Sequence, residues 1–146
     1  LEYDYEFLLL GIISNVPDYK LSWSLNKTLE IDLIKEDDME LSFETKGSSS
    51  GLTLGFSEEI TTPSFSFYRY ENEDTRVMYT LVSNRSKSSL LIKEEQSVDF
   101  FLIIGGMYDE VDIDSLLSKL RDDKVVLTAF EIDPNGLKSK QNLLFD

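Results

Sequence analysis

Cysteine and histidine are both missing from the 146 residues. Without cysteine there is no disulfide, no thiol nucleophile and no thiolate metal site. The lack of histidine says more, because imidazole is the commonest general base near neutral pH and the commonest transition-metal ligand. Ser-His-Asp triads, HExxH zinc sites and two-His-one-carboxylate iron sites are therefore impossible within this chain. Basic residues are scarce as well: 14 Lys and Arg face 28 Asp and Glu, a formal charge of −14. A surface this acidic repels phosphate backbones, so no nucleic-acid partner is expected, and the same charge keeps a small protein in solution. Long apolar runs are also absent. "FLLLGII", Phe7 to Ile13, falls far short of the roughly 18–20 residues that span a bilayer. Its flanks are acidic, unlike the basic start of a signal peptide. No membrane association and a cytoplasmic location are the expectations. The chain opens on Leu1 rather than methionine, and a trimmed start is expected.

What is present suits one packed domain spanning 1–146. The apolar fraction of 41% and the aromatic fraction of 12% set the chain apart from disordered sequences. A fold of this length buries roughly 68–70% of its unfolded surface, enough to hold a core without a metal or disulfide. "YEFLLLGIIS", Tyr5 to Ser14, reads as a central strand, since both of its faces are apolar in the middle. "NVPDYKLSWSLNKTLEI" reads as a helix with Asn15 or Asp18 as its cap, Pro17 in the first turn, and Leu21, Leu25 and Leu29 as one stripe. "IDLIKEDDMELSF" predicts a strand followed by a polar corner, and "GSSSG" marks a flexible loop near residues 45–55. "SFSFYRY" and "RVMYTLVSN" form a hairpin across "ENED", with "SSLLIKEE" as a short third strand of the meander. In "SVDFFLIIGG" the pleat puts Val98, Phe100, Leu102 and Ile104 on one face and Asp99, Phe101 and Ile103 on the other. "DEVDIDSLLSKLRDD" is the clearest helix, with Ile113, Leu116, Leu117 and Leu120 at i, i+3, i+4, i+7. "KVVLTAFEI" closes the set as a strand, and the tail ends in Leu143, Leu144 and Phe145, which need a place to pack. The order β-α-β, β-meander, β-α-β predicts an α+β fold: one mostly antiparallel sheet with the two main helices on one face.

"IKEEQSVDF" is similar to the signature of a bacterial family named for its motif, IPExxxVDY. Ile92, Glu94, Val98 and Asp99 match; Lys93 stands for the proline and Phe100 for the tyrosine. "DYKLSWSLN", Asp18 to Asn26, "AFEIDP", Ala129 to Pro134, and the following "LKSKQNLLF" extend the resemblance over nearly the whole chain. It implies a small cytoplasmic bacterial protein of unassigned activity, and no chemistry. Phe100 removes any role for a phenol at that position. Lys93 suggests that the proline position is an edge or the start of a strand, where no ladder N–H is required.

Two places stand out as sites. Asp99 could act as a general base or ligand with Glu94 or Glu95; the simpler account makes it a hydrogen-bonded polar group at the rim of a sheet. A buried, unpaired charge there would cost several kcal/mol. On the first helix, Tyr19 and Trp23 are four apart on a different side from the leucines, with Ser22 and Asn26 between the stripes. A helix apolar on two sides is packed on two sides, against the other helix, the Leu143–Phe145 tail or a partner, and Trp and Tyr are typical binding anchors. Other patterns fail on their own terms. "DEVDID" lacks the glycine and glutamate spacing of a calcium loop and fits helix N-terminal charge. "FSFYRY" resembles a base-stacking platform but carries a single arginine on an acidic chain. "GSSSGLTLG" lacks the GK[ST] of a phosphate loop.

The reading that follows is a non-catalytic interaction or regulatory protein with an unknown protein partner or a second copy of itself, working through the Tyr19/Trp23 side or a sheet edge. Its binding residues are Tyr19, Trp23, Asn26, Glu94 and Asp99, with no metal or cofactor. The alternatives are a carboxylate enzyme, magnesium-dependent or not, built on Asp99, Glu94 and Glu131, and a small-ligand sensor suggested by fold analogy.

Overall fold

The computed structural model describes residues 7–40, 63–87 and 89–143. The flexible loop expected near 45–55 lies outside the described residues. Strand β1 (Leu8–Ile13) leads to helix α1 (Asp18–Leu29), then β2 (Ile34–Glu40). Strands β3 (Ser64–Glu71) and β4 (Val77–Ser83) form a hairpin, followed by the two-residue strands β5 (Arg85–Ser86) and β6 (Ser89–Leu90). Strand β7 (Phe100–Gly106), helix α2 (Ile113–Asp122) and strand β8 (Thr128–Ile132) complete the main elements. Among the described residues six strands form one sheet in the order β2-β3-β4-β7-β1-β8, and every pairing between them is antiparallel. The architecture is α+β, as the pattern predicts.

Both helices cover one face. Leu21 and Leu25 of α1 and Leu116, Leu117 and Leu120 of α2 pack on Leu10, Ile12, Leu102 and Ile104. Each fully buried leucine contributes about 1.5–3 kcal/mol from burial alone. The opposite face has a core of its own, built from Leu9, Phe65, Phe67, Val82, Phe101 and Ile103. Neither α-helix roofs it. Turns and short 3-10 segments do, through Leu91, Ile92, Val98, Leu137 and Leu143. A sheet covered on both sides explains why β1 and β7 are apolar at consecutive positions. Gly11, on the second face, makes this packing fit. A Cβ there would come within 2.9 Å of Ile132 Cδ1 and 3.0 Å of Val98 Cγ2.

Several sequence expectations change here. Val98 belongs to the second core with Phe101, not with Phe100 and Leu102. The strand begins only at Phe100, and residues 92–98 run through turns closed by Glu95 N–H to Ile92 O and Val98 N–H to Glu95 O. Lys93 therefore sits in a turn rather than at an edge or a strand start. "SSLLIKEE" adds no third strand to the meander: Ser89–Leu90 pairs only with Arg85–Ser86, in a separate ribbon. Neither Asn15 nor Asp18 caps α1; the Pro17 carbonyl accepts from Lys20 and Leu21, and the Asp18 side chain is used elsewhere. Asp112 does cap α2, accepting from Ser115 N–H at 3.2 Å. β2 takes in the charged stretch itself, because it is an outer strand and most of its side chains face water.

Candidate functional site

The motif-like loop is organised by Asn84, which is fully buried at the end of β4. Its side-chain amide donates to the carbonyls of Glu95 and Val98, both at 2.9 Å, and its Oδ1 accepts from Ile92 N–H at 2.8 Å. Its backbone N–H donates to Asp99 O, and its own carbonyl accepts from Leu91 N–H, both at 2.9 Å. All three hydrogen-bonding sites a buried amide most needs are met, so the residue rigidifies the loop. Nothing in a lone asparagine after "TLVS" signals this.

Asp99 follows from that frame. Its Oδ2 accepts from Ser14 N–H at 2.9 Å, just past the end of β1. Its Oδ1 accepts from Arg85 Nε at 2.7 Å, and the same guanidinium donates to Gln96 O at 2.7 Å. Ser14 in turn donates its hydroxyl to Val125 O at 2.5 Å. Asp99 thus joins the end of β1, the β5 strand and the turn. Glu94 points to a different partner: Ser139 N–H and Ser139 Oγ donate to its two oxygens, both at 2.8 Å. Burial by itself would raise the Glu94 carboxyl. The donors from Ser139, with backbone N–H groups of Glu94 and Lys138, outweigh it and hold the group below its ordinary value. Glu131 lies elsewhere, lining a shallow recess with Leu8, Ile132 and Pro134. Asp99 and Glu94 have separate partners, and Glu131 borders a separate recess. Among the described residues no group of three or more acids is placed to hold a metal ion.

On α1 the two stripes behave differently. Leu21, Ser22 and Leu25 are buried, whereas Tyr19 is 60% and Trp23 63% exposed. The second stripe is mostly open to solvent; Leu143 of the tail is buried on the opposite face of the sheet, and Leu144 and Phe145 lie outside the described residues. Lys27 Nζ sits 3.5 Å from the centre of the Trp23 ring, a cation–π contact that orients the indole. Asn26 is not part of this surface. Its Oδ1 accepts from Leu33 N–H at 2.7 Å and its amide donates to Leu33 O at 3.3 Å, so it braces the turn into β2.

The helix layer also holds a buried carboxylate that the sequence reading missed. Asp123, 6% exposed at the end of α2, accepts from Ser24 Oγ at 2.8 Å, Thr28 Oγ1 at 2.5 Å and Val125 N–H at 2.9 Å. It bolts α1 to α2 through neutral donors. Tyr68 works similarly between sheet and helix, donating to Asp18 Oδ2 at 2.8 Å. Burial, then the hydrogen bond and the charge of Asp18, push its phenol up to about 12.

A cleft of about 290 Å³ opens under the 72–77 turn, lined by Leu29, Tyr79, Val111, Ser115 and Lys119 among others. Burial, with Tyr70 nearby, raises the Tyr79 phenol. Comparison with protein-family models, curated proteins and solved structures finds no match. No helix among the described residues is long and apolar enough to cross a membrane.

Proposed function

We propose that the chain is a non-catalytic interaction protein whose outer α1 face captures an acidic segment of a partner protein. The observation that carries this is the exposure of Tyr19 and Trp23 on a helix whose other side is fully packed. Lys20 and Lys27 flank the indole on the same exposed surface, a cationic patch on a chain of −14. An aromatic anchor flanked by two lysines fits an apolar side chain flanked by carboxylates. The cation–π contact holds the indole in one place before binding, which lowers the ordering cost. Kinship with the IPExxxVDY family stays part of the proposal, resting on the residues quoted for it.

The test uses the chain's single Trp. Acidic peptides carrying Leu or Phe anchors are titrated while Trp23 emission is followed. A blue shift is expected, weakened by salt and lost in Lys27→Glu. If no such peptide moves the emission, and wild type and Trp23→Ala capture the same native partners, the reading is wrong.

The carboxylate-enzyme alternative draws less support, because Asp99 and Glu94 are each engaged in tying segments together. A small-ligand sensor is the second reading, and the cleft beside Tyr79 is what favours it.

A further inference from the structure

The two outer strands of the sheet differ in how they meet solvent. β2 carries Lys35, Glu36, Asp37, Asp38 and Glu40, and its register shifts between Glu36 and Met39. Charges and a bulge are the usual means of keeping an edge from pairing with another chain. β8 has neither. Its register runs unbroken from Thr128 to Ile132, and Glu131 is its only charged residue. Among the described residues no strand lies beyond it.

The outward backbone groups of β8 can be assigned. Leu127 N–H donates to Ile13 O, and Ile13, Gly11 and Leu9 pair with Thr128, Phe130 and Ile132. The backbone groups of Thr128, Phe130 and Ile132 therefore face β1, and those of Ala129 and Glu131 face away from it. Arg121 agrees: its Nε reaches from the last turn of α2 to the Ala129 carbonyl at 2.9 Å. Ala129 lies on the helix-covered face, and alternation puts the exposed Glu131 side chain on that face too.

We propose that β8 pairs with β8 of a second copy of this chain, antiparallel about a two-fold axis at Phe130, giving a closed dimer with one continuous sheet. In that register Ala129 of each copy faces Glu131 of the other. The outward N–H and C=O groups of these residues then satisfy each other across the axis. The Ala129 carbonyl has a second lone pair for the incoming N–H besides the one Arg121 uses. The side chains match as well. Arg121 stands over Ala129, opposite which the register sets the partner copy's Glu131, so two Arg–Glu pairs form on the helix side. On the other side the two Phe130 rings become a cross-strand pair. Because the contact is self-complementary it closes as a dimer rather than propagating. This inference does not depend on the α1 reading.

Sedimentation equilibrium over a concentration series tests it, with circular dichroism to confirm that each variant folds. Arg121→Glu or Glu131→Arg alone should raise the dimer dissociation constant by about tenfold, since symmetry applies each change twice. The double swap should return it to near the wild-type value. Hydrogen exchange at Ala129 and Glu131 should slow as concentration rises, while the exposed amides of β2 stay fast. A chain that stays monomeric up to about 1 mM, or a dimer indifferent to both single swaps, overturns the proposal.

Discussion

Asn84 holds both ends of the loop that ends at Asp99: its backbone N–H donates to the Asp99 carbonyl, and its side chain grips the carbonyls of Glu95 and Val98. Glu94 and Asp99 both belong to this turn-rich loop, whereas Glu131 stands on β8. The loop's apolar members Leu91, Ile92 and Val98 seal the second core.

Replacing Asn84 by Leu strands Ile92 N–H and two carbonyls in an apolar setting. At about 1–3 kcal/mol per unsatisfied group, the loss should reach about 3 kcal/mol or more. Urea unfolding with an unchanged m-value measures it. A loss below about 1 kcal/mol would show that water reaches the loop and that Asn84 does not organise it.

Asp99→Asn keeps the acceptor for Ser14 N–H and removes only the ion pair with the half-exposed Arg85. The expected cost is about 1 kcal/mol or less. Arg85→Ala should cost little more once Asp99 is already Asn, and a double-mutant cycle reads that coupling. Strict additivity of the two changes would contradict the pairing.

Asp123→Ala should destabilise by about 2–3 kcal/mol, because Ser24, Thr28 and Val125 N–H all lose their acceptor at once. Asp123→Asn keeps an acceptor and should cost clearly less. Thermal melts of the two variants side by side make the comparison. Equal losses would mean that the charge, not the acceptor geometry, is what matters.

Glu94 is held below its ordinary value of 4.5, so its contact with Ser139 stabilises the fold above that pH. The contribution is lost as pH falls through the lower, folded value. The Ser139 amide resonance should move in that acid range, and Glu94→Gln should abolish the movement. An amide that titrates equally in Glu94→Gln assigns the effect to another group.

Tyr68 behaves in the opposite sense. Its phenol is raised from 10.0 to about 12, so its contribution is complete below pH 10 and is lost as pH climbs between those values. Tyr68→Phe should flatten the alkaline decline. It should also cost about 1 kcal/mol at neutral pH through the lost bond to Asp18. An alkaline unfolding curve identical to wild type would assign the decline to other phenols.

The elements most legible in the sequence are those whose pattern is local. Helix α2 announces itself through Leu116, Leu117 and Leu120 with acids before them and bases after, and β7 through its apolar run. The grouping of both helices on one face followed from the element order. The candidate site was legible only in part. Asp99 and Glu94 were visible as acids, but Arg85 and Ser139, the residues that engage them, were not. The exposed stripe Tyr19/Trp23 was visible as a second apolar side, yet four-residue spacing reads the same whether the side is covered or bare.

By itself, then, the amino-acid order determined the main helices and the long strands and which positions are apolar. Those follow from periodicity and capping within a few residues. Only the tertiary structure decided that turns and short 3-10 segments cover the second face, that Asn84 and Asp123 are buried and satisfied, and that among the described residues no strand pairs beyond β8. Those outcomes depend on partners far apart in the chain, as with Ser14 and Asp99 at a separation of 85 residues. A hydrogen bond over such a distance leaves no periodic trace in the sequence.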